Sequence, residues 1–348
     1  MTATAQRRTA PDAVVRRRPV PVRVTWLLVA VLALALIGGA SIAFGVRAVT
    51  WSDVVTGVSG SSSTIAEAAV QQRVPRTVLA MLVGAALGVA GLVMQGVTRN
   101  PLADPGILGV SSGAALAVVV GMAFFGLTSS VSVIWVAIAG AAVAAVFVYT
   151  IGSLGRGGAT PLKLALAGAA TSAALASLIS AVLLPRTDAL TDFRFWQIGG
   201  VGGASAARIA QVLPFLVIGA VVCVLMARGL NSLALGDDVA AGLGEHVGRT
   251  RVVAAAGSIL LCGAATAVAG PIGFVGLAVP HLCRLLVGTD HRWLVPFSAV
   301  AGAALLTAAD VVGRLVARPD EIDVGIITAL VGAPIFIWIV RRQKVRAL

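Results

Sequence analysis

Residues 73–114 read RVPRTVLAMLVGAALGVAGLVMQGVTRNPLADPGILGVSSGA. Two arginines, Arg73 and Arg76, open the stretch, and an apolar run rich in glycine and alanine follows. Asn100-Pro101 breaks that run, and a second one starts almost at once. A span that ends in proline-interrupted backbone is costly in lipid unless that backbone is buried in protein or lines a water-filled cavity. Transport pathways are built at such breaks.

The composition agrees. Of 348 residues 58% are hydrophobic and only 11% charged, with a mean hydropathy of +0.99, whereas a soluble domain carries about 25% charged residues. The apolar material falls into ten runs, at about 26–46, 76–98, 106–125, 132–152, 163–184, 208–228, 251–270, 273–288, 293–313 and 324–340. Each is near the ~20 residues that cross a bilayer. The reading is an all-α polytopic membrane protein of ten transmembrane helices.

A net charge of +12 does not indicate nucleic acid, because no basic patch is interleaved with the aromatics that strand binding uses. The cations cluster instead at the two ends and in alternate loops. With both termini placed in the cytoplasm, 18 basic residues fall inside and 8 outside, the bias that orients proteins in a bacterial cytoplasmic membrane. Residues 1–25 read as a disordered basic cytoplasmic tail, 26–340 as the transmembrane domain and 341–348 as a second basic tail. The first apolar run shows no A-x-A-type cleavage site near its end and reads as retained. Cys223, Cys262 and Cys283 lie in apolar runs and read as small buried hydrophobes.

An internal repeat is faint but geometrically informative. Residues 84–91, GAALGVAG, recur as GAATAVAG at 263–270, identical at six of eight positions. The copies lie in the second and seventh runs, which cross in opposite directions, as inverted five-helix repeats of transporters do. Composition alone can also produce such a match. The small residues at 165–172 in the fifth run read first as a helix-packing surface, and second as the lining of a pathway with few strong binding groups.

Two loops stand out. On the cytoplasmic side, residues 229–248 carry Gly236 followed by Asp237 and Asp238, acids that suit the start of a short helix. Such a helix is either a docking element for a soluble partner or a solvated surface element. On the external side, 185–207 carries Asp188, Asp192, Arg194, Trp196 and Gly199-Gly200, which suggest a turn folded back at the outer mouth. No phosphate loop of the G-x-x-x-x-G-K-[ST] type is present, so the chain is not read as an enzyme. His281 and Cys283 are two residues and do not make a closed metal site. Asp310 and Arg314, four apart, can face each other on one helix.

Several motifs then follow in order: Arg73-Val-Pro-Arg76, Gln95, Asn100-Pro-Leu-Ala-Asp-Pro105, Gly109-Val-Ser-Ser-Gly113, Leu235-Gly-Asp237 with Leu243-Gly244, Gly270 to His281, Thr289 to Arg292, Ala309-Asp310 with Arg314, and Gly332-Ala-Pro334. Over about residues 70–340 the chain resembles the FecCD family, the permeases of bacterial ABC importers for ferric siderophores, haem and cobalamin. The resemblance implies a dimer of permease subunits, the same or paralogous, with a path at their interface. It also implies two cytoplasmic ABC ATPase subunits that bind ATP and Mg, and an external substrate-binding protein. This chain itself would hold no cofactor; its other partner is membrane lipid.

By the same resemblance Arg73, Arg76 and Arg314 match the external arginines that receive acidic residues of the binding protein. Leu235, Gly236, Asp237, Asp238, Leu243, Gly244 and Glu245 fall in the ATPase-coupling segment. Asn100 and Leu102, with Thr160, Pro161 and Leu162, fall at the cytoplasmic gate. The chain departs from the family at Glu321-Ile-Asp323-Val-Gly325, where a proline usually stands in place of Asp323; the added charge bears on docking of an acidic partner. The readings are an iron–siderophore importer first, a cobalamin or haem importer second, and an ion-coupled secondary transporter third.

Overall fold

The computed structural model describes residues 19–60, 63–127, 129–154, 160–186, 193 and 196–342. The expectations for residues 1–18 and 343–348, and for Arg156, Asp188, Asp192 and Arg194, lie outside these. The helices are α1 (Val20–Ala43), α2 (Trp51–Val58), α3 (Ile65–Thr98), α4 (Val110–Phe125), α5 (Ser130–Ser153), α6 (Pro161–Leu183), α7 (Ala206–Leu233), α8 (Asp237–Gly242), α9 (Val247–Ala269), α10 (Val275–Val287), α11 (His291–Val316) and α12 (Val324–Arg342). No strand occurs among the described residues. Seven helices (α1, α3, α5, α6, α7, α9 and α11) are long and apolar enough to cross a membrane, and α4, α10 and α12 are shorter apolar helices. The end of the bundle holding the C-terminus of α1 is called the outer end here, following the charge bias.

Local chemistry sets the helix starts. Thr50 with Asp53, and Thr64 with Glu67, form reciprocal capping boxes at α2 and α3, each satisfying backbone N–H groups that a helix start leaves unpaired. Thr160 caps α6 and is followed by Pro161 at the first helical position, where a missing N–H costs nothing. Asp290 caps α11.

Three boundaries differ from the sequence expectation. α3 starts at Ile65 and runs through Pro75, so Arg73 and Arg76 lie within the helix and not in a loop before it. The upstream capping box starts the helix early, and spanning helices tolerate proline because other groups re-satisfy the freed carbonyl. α1 starts at Val20, so residues 20–25 of the expected disordered tail are helical. There Arg23 is buried, reaching Asp290 at 3.7 Å and lying over the Trp293 ring. Burial opposes the Asp290 charge, but the Asn231 amide (2.7 Å), the Arg292 backbone N–H, Arg292 and Arg23 together hold its carboxyl below the ordinary carboxylate value. Finally, α2 was not anticipated at all.

α10 has 13 residues, about 20 Å at the helical rise, which is short of the ~30 Å hydrocarbon core. The irregular segment 270–274 before it is held by protein. Gly200 N–H donates to Ala269 C=O at 2.8 Å and Gly325 N–H to Gly199 C=O at 3.0 Å. A Cβ on Gly270 would lie 2.1 Å from Trp196 O. The segment around Gly199-Gly200 is thus folded back between the end of α9 and the start of α12.

α3 is the centre of the bundle, buried almost without interruption from Leu79 to Gln95. Its glycines let other backbones touch it. A Cβ on Gly84 would lie 2.3 Å from Gly302 O of α11, and one on Gly91 only 2.0 Å from Gly276 O of α10. In lipid, such close approach replaces the hydrophobic drive that water would supply. Gly84 in the second span packs on the ninth, and Gly263 in the seventh packs on Ala141 and Ile138 of the fourth.

Candidate functional site

At the outer end, three cations meet the C-terminus of α1. The last carbonyls of a helix have no partner within it, and the helix dipole favours positive charge there. Arg73 donates to Ile42 O (3.2 Å), Ala43 O (3.0 Å) and Arg47 O (2.6 Å). Arg314 donates to Ser41 O (3.0 Å), Phe44 O (3.1 Å) and Ser41 Oγ (2.7 Å). Arg318 donates to Gly45 O. Arg73 is 7% exposed and Arg314 2%. Their donors to carbonyls at the end of α1 and in the turn after it fix that helix to α3 and α11.

Arg76 is placed differently. Its Nε and Nη2 donate to Asp310 (3.1 and 2.9 Å), and its Nη1 donates to Glu321 at 2.6 Å. Asp310 also takes Arg314 at 3.0 Å, the i,i+4 pairing read from the sequence. Asp310 is buried between two guanidinium groups, whereas Glu321 is exposed, so the Glu321 side of Arg76 is the part of this network open to an outside group. Burial pushes the Asp323 carboxyl upward; Arg76 works against that, while Glu321 and Asp310 add to it.

At the inner end, α3 stops at Arg99, which adopts a left-handed conformation (φ 50°, ψ 31°). The chain then turns on Asn100, whose Oδ1 accepts the Leu102 N–H at 3.0 Å. Asp104 caps the 3-10 turn Pro105–Leu108, accepting the Gly106 N–H at 2.8 Å. A small cavity here is lined by Met94, Asn100 and Asp104 from one side and by Leu164 and Ala165 of α6 from the other. Of the residues expected at the gate, Asn100 lines this cavity, and Thr160 caps the helix whose Leu164 and Ala165 line its other side. Gln95 ties this region to α10: its Nε2 donates to Gly276 O (3.1 Å) and its Oε1 accepts from Arg284 (2.5 Å).

The short helix α8 follows Gly236, whose φ of 106° suits glycine alone. Leu235, Val239 and Leu243, four residues apart, are all exposed, and Asp238 is exposed beside them. Two of the acids in this segment have partners within the chain. Asp237 accepts from Arg99 and, at 2.9 Å, from Arg251 of α9. Glu245 accepts from Thr250 Oγ1. The sequence reading missed Val239, Arg99, Arg251 and Glu321. The four-residue spacing of Leu235, Val239 and Leu243 was visible beforehand; the pairing of Arg99 across 138 residues had no local signal.

Among proteins of known sequence, the chain is 39% identical over 320 residues to the "Probable siderophore transport system permease protein YfiZ" of Bacillus subtilis (strain 168), covering 91% of this chain and 96% of that one. It is 43% identical over 319 residues to the ferric enterobactin transport system permease protein FepD of Escherichia coli (strain K12), covering 91% and 94%. Its fold matches a solved structure described as an inward-facing conformation of a metal-chelate type ABC transporter, with a TM-score of 0.79 and 28% identity, covering 92% of this chain and all of that one. The model of the FecCD transport family matches residues 29–342. With ten apolar helices among the described residues, glycine-packed α3 at their centre, and this match over nearly its whole length, the chain belongs to the FecCD transport family, as an integral membrane permease of the ABC type.

Proposed function

We propose that this chain is the permease subunit of an ATP-driven importer that moves iron–siderophore complexes into the cytoplasm by alternating access. Two such subunits, identical or paralogous, would form the path between them. Two cytoplasmic ATPase subunits would bind ATP and Mg, and an external binding protein would deliver cargo. The observation that carries the energy source is the exposed stripe Leu235, Val239 and Leu243 at the inner end. Leu235 and Leu243 flank the short helix α8 and Val239 lies on it, and apolar side chains grouped in this way and left in water mark a docking surface for a partner. An ion-driven carrier has no need of it, and Asp310, paired with Arg76 and Arg314 at the outer end, starts no relay across the membrane.

The cargo class follows the relatives, which are named for siderophore and ferric enterobactin transport. A haem reading has support of its own, since the hemin transport system permease protein HmuU of Yersinia pestis is 41% identical over 281 residues. Replacing Leu235, Val239 and Leu243 together by Asp is expected to abolish co-purification of the ATPase subunits while leaving the melting temperature unchanged. Co-purification at the parental level would refute the assignment of α8. For the cargo, cells lacking the chain are expected to lose uptake of iron-55 presented as a siderophore complex and to keep uptake of labelled haem and cobalamin; the reverse pattern would establish the second reading.

A further inference from the structure

We propose that the Arg99–Asp237–Arg251 cluster is the strap that carries movement of α8 to the gate, with Arg99 as the positioning residue. The proposal rests on the reading of α8 as the helix that seats in the ATPase. α8 joins α7 and α9 through the chain itself, but α3 is remote from it in sequence. The hydrogen-bonded ion pair of Arg99 with Asp237 joins α8 to the residue that ends α3. Asp237 is the first residue of α8, and the same carboxylate oxygen takes Arg251 of α9. One carboxylate thereby joins the coupling helix to α3 and α9, the two helices that carry the repeated glycine motif.

The backbone at Arg99 supports a directed role. A non-glycine residue with positive φ is uncommon and is held by its surroundings. Here the left-handed turn ends α3, and the Arg99 guanidinium lies 4.0 Å from where a Cβ on Gly236 would be. The next residue is Asn100, which shapes the turn to Leu102 and lines the cavity shared with Leu164 and Ala165. Displacement of α8 therefore reaches the gate loop within one residue of the ion pair. Both partners are substantially exposed, and exposed pairs add little to stability. The strap can thus be cut without unfolding the bundle.

The test uses the assembled permease–ATPase complex with Leu102→Cys as the gate reporter, labelled by a water-soluble maleimide with and without MgATP. In the parent, MgATP is expected to change the labelling rate at least fivefold. R99Q is expected to keep the ATPase subunits and the melting temperature but to hold the labelling rate within twofold. R99K is expected to restore the response, because Arg99 donates to Asp237 through a single nitrogen. A parental response in R99Q overturns the strap and leaves the docking reading intact. Failure of R99K to restore it, or loss of folding in R99Q, also overturns the strap. No response to MgATP in the parent overturns both.

Discussion

At the residue scale, the outer arginines separate by what their donors do. Charge-assisted hydrogen bonds contribute about 1.5–3 kcal/mol each, and Arg73 makes three of them, two to the end of α1 and one to Arg47 in the turn after it. Arg73→Ala is therefore expected to lose at least ~2 kcal/mol of stability, measured as a lower melting temperature in detergent. Arg73→Lys recovers only part of it, because one ammonium cannot serve carbonyls on both sides of the turn. Arg76→Ala, by contrast, removes the group that an acidic external partner can reach. Such a partner must displace Glu321 from Arg76 Nη1. An exposed pair of this kind is worth ~0.2–1 kcal/mol, so Glu321→Gln is expected to tighten binding-protein affinity by up to about fivefold, more at low salt than at high. Asp323 gives a pH-dependent counterpart. A carboxyl raised in the fold binds protons more readily folded than unfolded, so its cost grows as pH rises through the interval above the unfolded value. Asp323→Asn is expected to raise the melting temperature at pH 7–8, with the gain fading below about pH 4.

At the element scale, glycine geometry decides what the repeat means. Gly84 and Gly263 occupy the same place in the two copies, yet a Cβ on Gly84 would fall 2.3 Å from a backbone oxygen and one on Gly263 no closer than 3.3 Å from the Ala141 side chain. Gly84→Ala is therefore expected to cost ~1–3 kcal/mol as overpacking, and Gly263→Ala well under half of that, read as melting temperatures of the two variants. Sequence alone gave the two copies equal weight, because identity of letters does not report which helix each one meets. The same limit explains the other differences. The break at Asn100-Pro101 and the short helix after Gly236 were legible because proline, acidic first-turn residues and glycine act locally. The partners of Arg73 and Arg314 were not, since the carbonyls they cap lie 26 to 31 and 270 to 273 residues away. α2 carried a readable Thr50–Asp53 box and was missed only because an eight-residue helix is too short to show as a span.

At the scale of the molecule, the helices on the outside of the bundle expose different chemistry. α1 presents Leu28, Val29, Leu32 and Leu36, bulky apolar groups that suit acyl chains. α6 exposes Leu162, Leu166 and Leu178 but also Ala173, Ser177 and Ser180. The serine hydroxyls bond back to the carbonyls of Ala173 and Ala176 at 3.0 Å. A hydroxyl satisfied within its own helix is tolerated beside protein or water and offers few strong contacts to a passing solute. The small cavity beside Asn100 lies at the inner end of this same helix, at Leu164 and Ala165. If two permease subunits enclose the path, this face of α6 is expected to line it, and α1 to meet lipid. Cysteine scanning separates the two environments, since the three native thiols are buried. In the assembled transporter, Ser177→Cys and Ser180→Cys are expected to react with a water-soluble maleimide at least tenfold faster than Leu32→Cys and Leu36→Cys. Equal protection of all four positions would put α6 in lipid and move the path to another face of the bundle.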